Sequence, residues 1–142
     1  MVYAELEIIL KIIIAALLGA TLGLEREVSK KPAGLRTYTL VCIGSALFAI
    51  ISLSFVDVGQ RADISRVAAG VVTGIGFLGA GMIFREKDRV VGLTTAAEVW
   101  VLGSIGLAVG LGLYWVAILT TAIVLIVLFG GKWFEKALLE KK

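Results

Sequence analysis

The sequence contains no histidine, one cysteine and one proline among its 142 residues. Without histidine the chain lacks the commonest metal ligand and the commonest general base at neutral pH. The single thiol, Cys42, excludes an intrachain disulfide and a thiolate metal site within one chain. Cys42 stands inside an apolar run, where cysteine acts as a small packing residue. No nucleophile is accompanied by a base, so we expect a protein that is not an enzyme.

Charged residues are also scarce. They make up 18% of the chain, whereas 59% is hydrophobic, and the mean hydropathy is +1.00. A soluble domain is closer to half apolar, and a span across a bilayer needs about 20 apolar residues. The chain has room for five such spans, so we predict an all-α, polytopic membrane protein surrounded by the lipid bilayer. The net charge of +3 is modest, and we expect no nucleic-acid partner.

Five apolar stretches predict five transmembrane helices, at residues 6–24, 37–56, 67–84, 93–110 and 114–130. The first residues carry no basic group, unlike a secretory signal, so we expect the first span to be retained. Beyond the fifth span, one helix face carries Trp133, Phe134, Ala137 and Leu138, and the charged residues lie elsewhere on the helix, which is typical of an interfacial amphipathic helix. The predicted domains are a membrane domain, 1–131, and an amphipathic cytoplasmic tail, 132–142.

Basic residues predict the orientation. All but three of the 14 lie on one predicted side of the membrane, in the first loop, the third loop and the tail. The exceptions are Lys11, Arg61 and Arg66. Since cytoplasmic segments carry an excess of Lys and Arg, we predict an outside N-terminus and a cytoplasmic C-terminus. Lys11 follows Glu7 by four residues, which indicates either a snorkelling ion pair or a buried functional lysine.

Parts of the sequence recur at an offset of 58 to 60 residues. Residues 18–20 match 78–80, the pattern Gly-Leu-x-Thr at 34–37 matches 92–95, and Gly-Ser at 44–45 matches 103–104. Spans 1 and 3 begin on the same side, so the repeats are parallel, as in transporters with an axis along the membrane normal. We predict two helical hairpins, packed as parallel repeats, and a fifth closing helix.

Glycines recur at the spacing that lets membrane helices approach each other closely. We predict that these residues pack helix against helix: Gly19, Gly23, Gly70, Gly74, Gly76, Gly79, Gly81, Gly106 and Gly110. The densest group, at 74–81, lacks the strand–loop–helix context that a phosphate-cradling nucleotide loop requires.

Glu98 lies five residues into the fourth span, at a depth of roughly 8 Å. A carboxylate at that depth is expected to be protonated, paired or in contact with water. Arg26 and Arg36 lie on the same predicted side and are its candidate partners. Two interpretations remain open, a salt bridge that joins the two hairpins and a site for a cation or a proton.

Other charged residues are candidates for either structure or function. Glu25, Arg26 and Glu27 end the first span, and Asp63 and Arg66 are expected to cap and pair on the opposite side. The one possible cofactor that these residue types suggest is magnesium, which prefers oxygen ligands. Its candidate ligands are Glu25, Glu27, Glu98, Thr94 and Thr95. Because the arginines neutralise these carboxylates, the pattern favours an ion-pair network over a metal site.

Together these motifs resemble the membrane domain of the MgtC/SapB family. The residues that carry the resemblance are Gly23–Glu27, Lys31–Thr37 with Arg36, Leu40–Gly44, Ser65-Arg66, Gly74–Gly81, and Gly92–Ala97 with Trp100. The resemblance implies a bacterial inner-membrane protein of low-magnesium adaptation, within a virulence-related family. It also implies that some members restrain the F-type ATP synthase. Many members continue into a soluble C-terminal domain, so we expect a short form.

Two functions follow from this. The first is a non-enzymatic regulator that acts through protein–protein contacts in the membrane, as a homodimer or with another membrane protein. The alternative is a transporter or channel for magnesium or protons. Whether Glu25 and Glu98 face a hydrated cavity or are sealed against arginines discriminates the two.

Overall fold

The computed structural model describes residues 2–54 and 64–139. Its elements in chain order are α1 (Val2–Val28), α2 (Leu35–Ser54), α3 (Ile64–Ala80), β1 (Phe84–Glu86), β2 (Arg89–Val91), α4 (Leu93–Gly110) and α5 (Tyr114–Leu139). Among the described residues, α1, α2, α4 and α5 are long and apolar enough to cross a membrane, and α3 is apolar but shorter. The predicted helical bundle is therefore present, with four helices of spanning length.

Helix α4 lies at the centre of the bundle and contacts each of the other four helices. Helix α1 packs against α2, and α3 packs against α4, so each predicted hairpin is formed. The core between α2 and α4 contains Tyr38, Cys42, Val99, Leu102 and Ile105. Large apolar side chains cover the outer faces of the peripheral helices, as expected where the surroundings are lipid. The origin of the two hairpins by duplication stays a prediction.

Glycines of α1 and α4 allow the close packing on α2. A Cβ atom added at Gly19 would lie 2.8 Å from the Tyr38 carbonyl oxygen. One added at Gly106 or Gly110 would overlap a backbone carbonyl of α2. These backbones approach closely because no side chain separates them, which is the expected use of small residues between membrane helices.

The glycines of α3 behave differently from the prediction. A side chain added at Gly70, Gly74 or Gly76 would meet no atom within 4 Å among the described residues. Gly70 and Gly74 line, with Gly44 and other residues of α2, an open apolar groove of about 740 Å³ between α2 and α3. Packing of α3 within the chain uses Gly79 instead, which faces Ala96 of α4. Gly81 follows the end of α3, and a Cβ there would approach only the Phe77 and Leu78 carbonyls of that helix.

A β-hairpin that the sequence analysis missed occupies the third loop. Strands β1 and β2 pair antiparallel, with Phe84 opposite Val91 and Glu86 opposite Arg89. Lys87 at its turn has a left-handed backbone, with φ 51°. Gly92 follows with φ 88° and leads directly into α4. The described part of the chain is thus mainly α, with one short two-stranded sheet, rather than all-α as predicted.

Two helices are longer than predicted. Helix α1 continues through Val28, so the charged sequence at residues 25–27 is helical rather than part of a loop. Helix α5 runs without a break from Tyr114 to Leu139, so its end replaces the separate interfacial helix that we predicted. Trp133 on that helix is exposed.

Candidate functional site

A buried polar cluster joins three helices at one end of the bundle. Arg26 comes from the last turns of α1, Tyr38 from the first turn of α2, and Glu98 from the second turn of α4. All three side chains are almost completely buried, with 2%, 0% and 6% of their surface exposed. A buried charge is costly unless it is paired and hydrogen-bonded, so the contacts of these groups decide what the cluster does.

Both oxygens of the Glu98 carboxylate have partners. Arg26 Nη1 donates to Glu98 Oε1 at 2.8 Å. Tyr38 donates its hydroxyl to Glu98 Oε2 at 2.6 Å. The carboxylate therefore connects α4 to α1 and α2 at once, through one charge-assisted contact to each.

Glu25 extends the cluster on the other side of the guanidinium. Arg26 donates through Nε and Nη2 to Glu25 Oε2. Ser29 donates its hydroxyl to Glu25 Oε1 at 2.8 Å. Arg26 thus lies between two buried carboxylates, and no buried side-chain nitrogen or oxygen of the described residues lacks a hydrogen-bond partner.

Of the two arginines expected to pair with Glu98, the structure selects one. Arg26 forms the ion pair, whereas Arg36 is exposed. The reason is helical geometry. Side chains two residues apart on a helix are rotated by about 200° around its axis, so they point to nearly opposite sides. Tyr38 faces the core of the bundle, so Arg36 faces outward.

The same geometry separates the acidic residues of α1. Glu25 faces the cluster, and Glu27 faces the loop, where its Oε2 accepts a hydrogen bond from the Leu35 amide at 3.2 Å. Glu27 therefore caps the start of α2 and does not join Glu25 and Glu98. Among the described residues no group of three acidic, histidine or cysteine side chains is arranged to hold a metal ion.

The remaining predicted site residues lie elsewhere. Lys31, Thr94 and Thr95 line a second cavity, of about 660 Å³, beside the cluster. Arg66 is exposed on the first turn of α3. Asp63, its predicted partner, lies outside the described residues.

Lys11 forms the ion pair predicted from its spacing. Its Nζ lies 2.8 Å from Glu7 Oε1. The Glu7 side chain is largely exposed, while the lysine is mostly covered. This is the arrangement of a lysine whose stem lies along an apolar surface and whose charge reaches a partner near the helix end.

Tyr38 is the residue of the cluster that the sequence analysis missed. The sequence feature that indicates such a residue is a tyrosine within an apolar helix, because its hydroxyl needs a hydrogen-bond partner when it is buried. The partner, Glu98, is 60 residues away in the sequence.

The apolar helices of spanning length and the buried polar cluster that joins them define a multi-pass membrane protein. The family model described as "MgtC family" matches residues 12–137. The chain belongs to the MgtC family.

Named relatives agree with this assignment. The chain is 46% identical over 129 residues to "Putative magnesium transporter YhiD" of Escherichia coli (strain K12), which covers 86% of this chain and 59% of the relative. It is 44% identical to protein MgtC of Salmonella typhimurium (strain LT2), over 82% of this chain and 49% of the relative. It is 38% identical to protein SapB of Bacillus subtilis (strain 168), over 79% of this chain and 51% of the relative.

The chain spans about half to three fifths of the length of these three relatives. No solved structure matches it.

Proposed function

We propose that this chain is an inner-membrane protein that takes part in low-magnesium adaptation as a non-enzymatic regulator, through contacts with other membrane proteins. The link to magnesium rests on the family and on the name of the YhiD relative. The observation that carries the regulatory role is the sealing of Glu98 by Arg26 and Tyr38.

An ion path needs polar groups that can exchange a partner with water or with the moving ion. Glu98 is 6% exposed, and each of its oxygens accepts a hydrogen bond from a side chain of another helix. A cation at this carboxylate would compete with a fixed guanidinium and would leave Arg26 beside a second positive charge. The cluster is therefore suited to holding helices together rather than to passing ions.

We propose five membrane spans, with the N-terminus outside and the C-terminus in the cytoplasm. Exposed Trp115 and Trp133 support α5 as the fifth span, and the orientation rests on the bias of basic residues. The two tryptophans are separated by 18 residues, or about 27 Å along a helix, which is close to the roughly 30 Å of the hydrocarbon core. Tryptophans at both ends of a span are typical of the two membrane interfaces. Helix α3, at 17 residues, would cross with local thinning of the bilayer.

The surface for a partner is the apolar groove between α2 and α3. Its floor at Gly70 and Gly74 is uncovered by any described residue of this chain. Bare glycine surfaces of this kind allow a second membrane helix to approach closely. We propose that the partner is a second copy of the chain or another membrane protein. The family resemblance suggests the F-type ATP synthase as the partner of some members.

The second candidate function is a transporter or channel for magnesium or protons. It is favoured by the name of the YhiD relative and by the presence of a carboxylate within α4. In that case the Arg26–Glu98 pair would have to open during each transport cycle.

Flux measurements on sealed liposomes that contain the purified protein separate the two functions. Magnesium-sensitive and pH-sensitive dyes inside the liposomes report entry at several pH values and membrane potentials. The regulator is expected to give no flux above that of empty liposomes. Flux that Glu98→Gln abolishes, and that Glu86→Gln on the exposed hairpin leaves unchanged, would establish the transporter instead.

A further inference from the structure

A cavity with a basic rim lies beside the sealed cluster, between the α1–α2 loop, the β-hairpin and the start of α4. It has a volume of about 660 Å³, and α5 forms its far wall. Arg26, Lys30 and Lys31 line it, and no aspartate or glutamate does. Apolar side chains of the hairpin and of α5, among them Phe84, Val90 and Leu128, form the rest of its lining. The cavity therefore combines positive charge with apolar walls.

The N-terminus of α4 opens into this cavity through Gly92, Leu93, Thr94 and Thr95. Gly92 occupies the N-cap position, so no side chain caps the helix. The Ala96 amide donates to the Gly92 carbonyl, and the amides before it have no acceptor within the helix. These N–H groups and the helix dipole favour a negative group at this point.

A second and independent feature is the hydroxyl of Thr95. Thr95 lines the cavity and is 3% exposed, yet its hydroxyl forms no hydrogen bond with any described residue. Four other threonines inside helices each donate to the carbonyl four residues before them; they are Thr21, Thr39, Thr73 and Thr121. Thr95 differs because the residue four before it, Val91, belongs to strand β2. Among the described residues no side-chain oxygen that is itself fully buried lacks a partner, so the Thr95 oxygen borders the open space of the cavity, where a ligand can accept its hydrogen bond.

We propose that this cavity binds a phosphate group. Backbone amides, the Thr95 hydroxyl and two ammonium groups reach it from different elements, and a phosphate offers several oxygens to match donors that converge from several directions. A magnesium ion would face two lysines and no carboxylate. The apolar walls favour a phosphate attached to a lipid, whose headgroup lies at this depth of a bilayer, and free phosphate is the other source. This site does not depend on the proposed regulatory role, and its test reads binding alone.

The test uses the full chain purified in detergent and native mass spectrometry. Dioleoyl-phosphatidylglycerol is compared with dioleoylglycerol, which has the same acyl chains and no phosphate. Calorimetric titration with inorganic phosphate forms the second arm. Lys30→Gln combined with Lys31→Gln is expected to weaken binding about tenfold or more, and Thr95→Val is expected to weaken it while Thr95→Ser retains it.

Matched controls are available within the chain. Lys87→Gln combined with Arg89→Gln removes two basic groups from the hairpin outside the cavity, and Lys87 shares the left-handed backbone of Lys30, with φ 51° and 52°. Thr73→Val removes a hydroxyl that is bonded to the Ala69 carbonyl. Circular dichroism and gel filtration identify variants that fail to fold.

The outcomes separate the two sources of phosphate. Binding of the phospholipid, lost with the cavity variants and kept with the controls, supports a lipid headgroup. Binding of inorganic phosphate with the same dependence, and no preference for the phospholipid, supports the soluble source. Equal binding of both lipids together with no binding of phosphate overturns the proposal, as does binding that the cavity variants do not change.

Discussion

The Arg26 guanidinium and the Glu98 carboxylate lie 2.8 Å apart although 72 residues separate them in the sequence. The contact joins the end of α1 to the central helix α4, and both side chains are buried. A buried pair of this kind contributes little when compared with an apolar pair of the same shape, but removing one partner leaves an uncompensated charge. The pair therefore makes the packing of α1 on α4 specific.

We expect Arg26→Gln to be the most damaging single substitution in the cluster. It removes the one cation between Glu25 and Glu98, and breaking a buried pair in this way costs about 3–5 kcal/mol of unfolding free energy. Glu98→Gln is expected to cost less, because Arg26 keeps its contact with Glu25. Denaturant unfolding in micelles, followed by circular dichroism, measures both.

The double variant tests the coupling directly. Arg26→Gln together with Glu98→Gln is expected to cost less than the sum of the single variants, with an interaction energy of about 0.5–3 kcal/mol. The exposed pair Arg85 and Asp88, at 3.9 Å, serves as the control, and its double variant is expected to show no measurable coupling. Strict additivity in the buried cycle would contradict the role given to the pair.

Tyr38→Phe is expected to destabilise the protein by about 1–3 kcal/mol, because it leaves a buried carboxylate oxygen of Glu98 without its donor. The ring and its packing are kept, so the loss reports the hydroxyl alone. Tyr114→Phe is the matched control, since Tyr114 is only half-buried and forms no hydrogen bond through its side chain among the described residues. The two variants are compared by thermal unfolding in the same detergent, and equal losses would argue against the Tyr38–Glu98 bond.

Hydropathy predicted which segments form helices because that property is local. The limits of α4 were predicted correctly, since Gly92 and Gly112, both with positive φ, interrupt the apolar pattern on either side. The buried Arg26–Glu98 pair was also foreseen as one of two alternatives, because a carboxylate within a span requires a partner.

What could not be predicted depends on how the helices are rotated against each other. Whether Arg26 or Arg36 meets Glu98 depends on which face of α2 packs inward, and that face meets Gly106 and Gly110 across a long sequence separation. The open position of Gly70 could not be predicted for the same reason. The spacing of small residues along a helix does not indicate which neighbouring helix they face. The β-hairpin was missed because each of its strands has only three residues. An alternation of apolar and polar residues over so short a stretch does not predict a strand.

Gly106→Ala and Gly110→Ala are expected to destabilise the bundle by about 1–3 kcal/mol each through overpacking against α2. Gly70→Ala and Gly74→Ala occupy open space and are expected to leave stability unchanged or to raise it slightly through better helix propensity. If the groove between α2 and α3 binds a partner, Gly70→Ala and Gly74→Ala are instead expected to reduce crosslinking of the chain to that partner in the membrane. Unfolding in micelles and crosslinking in native membranes, measured on the same four variants, separate packing from partner binding.

Gly92→Ala and Gly112→Ala compare two glycines with similar backbones, φ 88° and 81°. At Gly112 a Cβ meets nothing within 4 Å of the described atoms, so only the left-handed conformation is costly, at about 1–2 kcal/mol. At Gly92 the Cβ would overlap the Met82 carbonyl oxygen, so a larger loss is expected and the hairpin must shift. Thermal unfolding of both variants measures the difference, and equal losses would show that the hairpin does not lie tightly on Gly92.

The proposed orientation predicts which cysteines react from outside the cell. Asp88→Cys at the exposed hairpin turn is expected to react with a membrane-impermeant maleimide only after the membrane is permeabilised, because the hairpin belongs to the basic, cytoplasmic side. Arg66→Cys, exposed on the first turn of α3, is expected to react in intact spheroplasts. The unmodified chain is the control, since its one cysteine, Cys42, is buried and should stay unlabelled. Labelling of the hairpin in intact spheroplasts would reverse the orientation, and it would then place the phosphate-binding cavity on the outer leaflet.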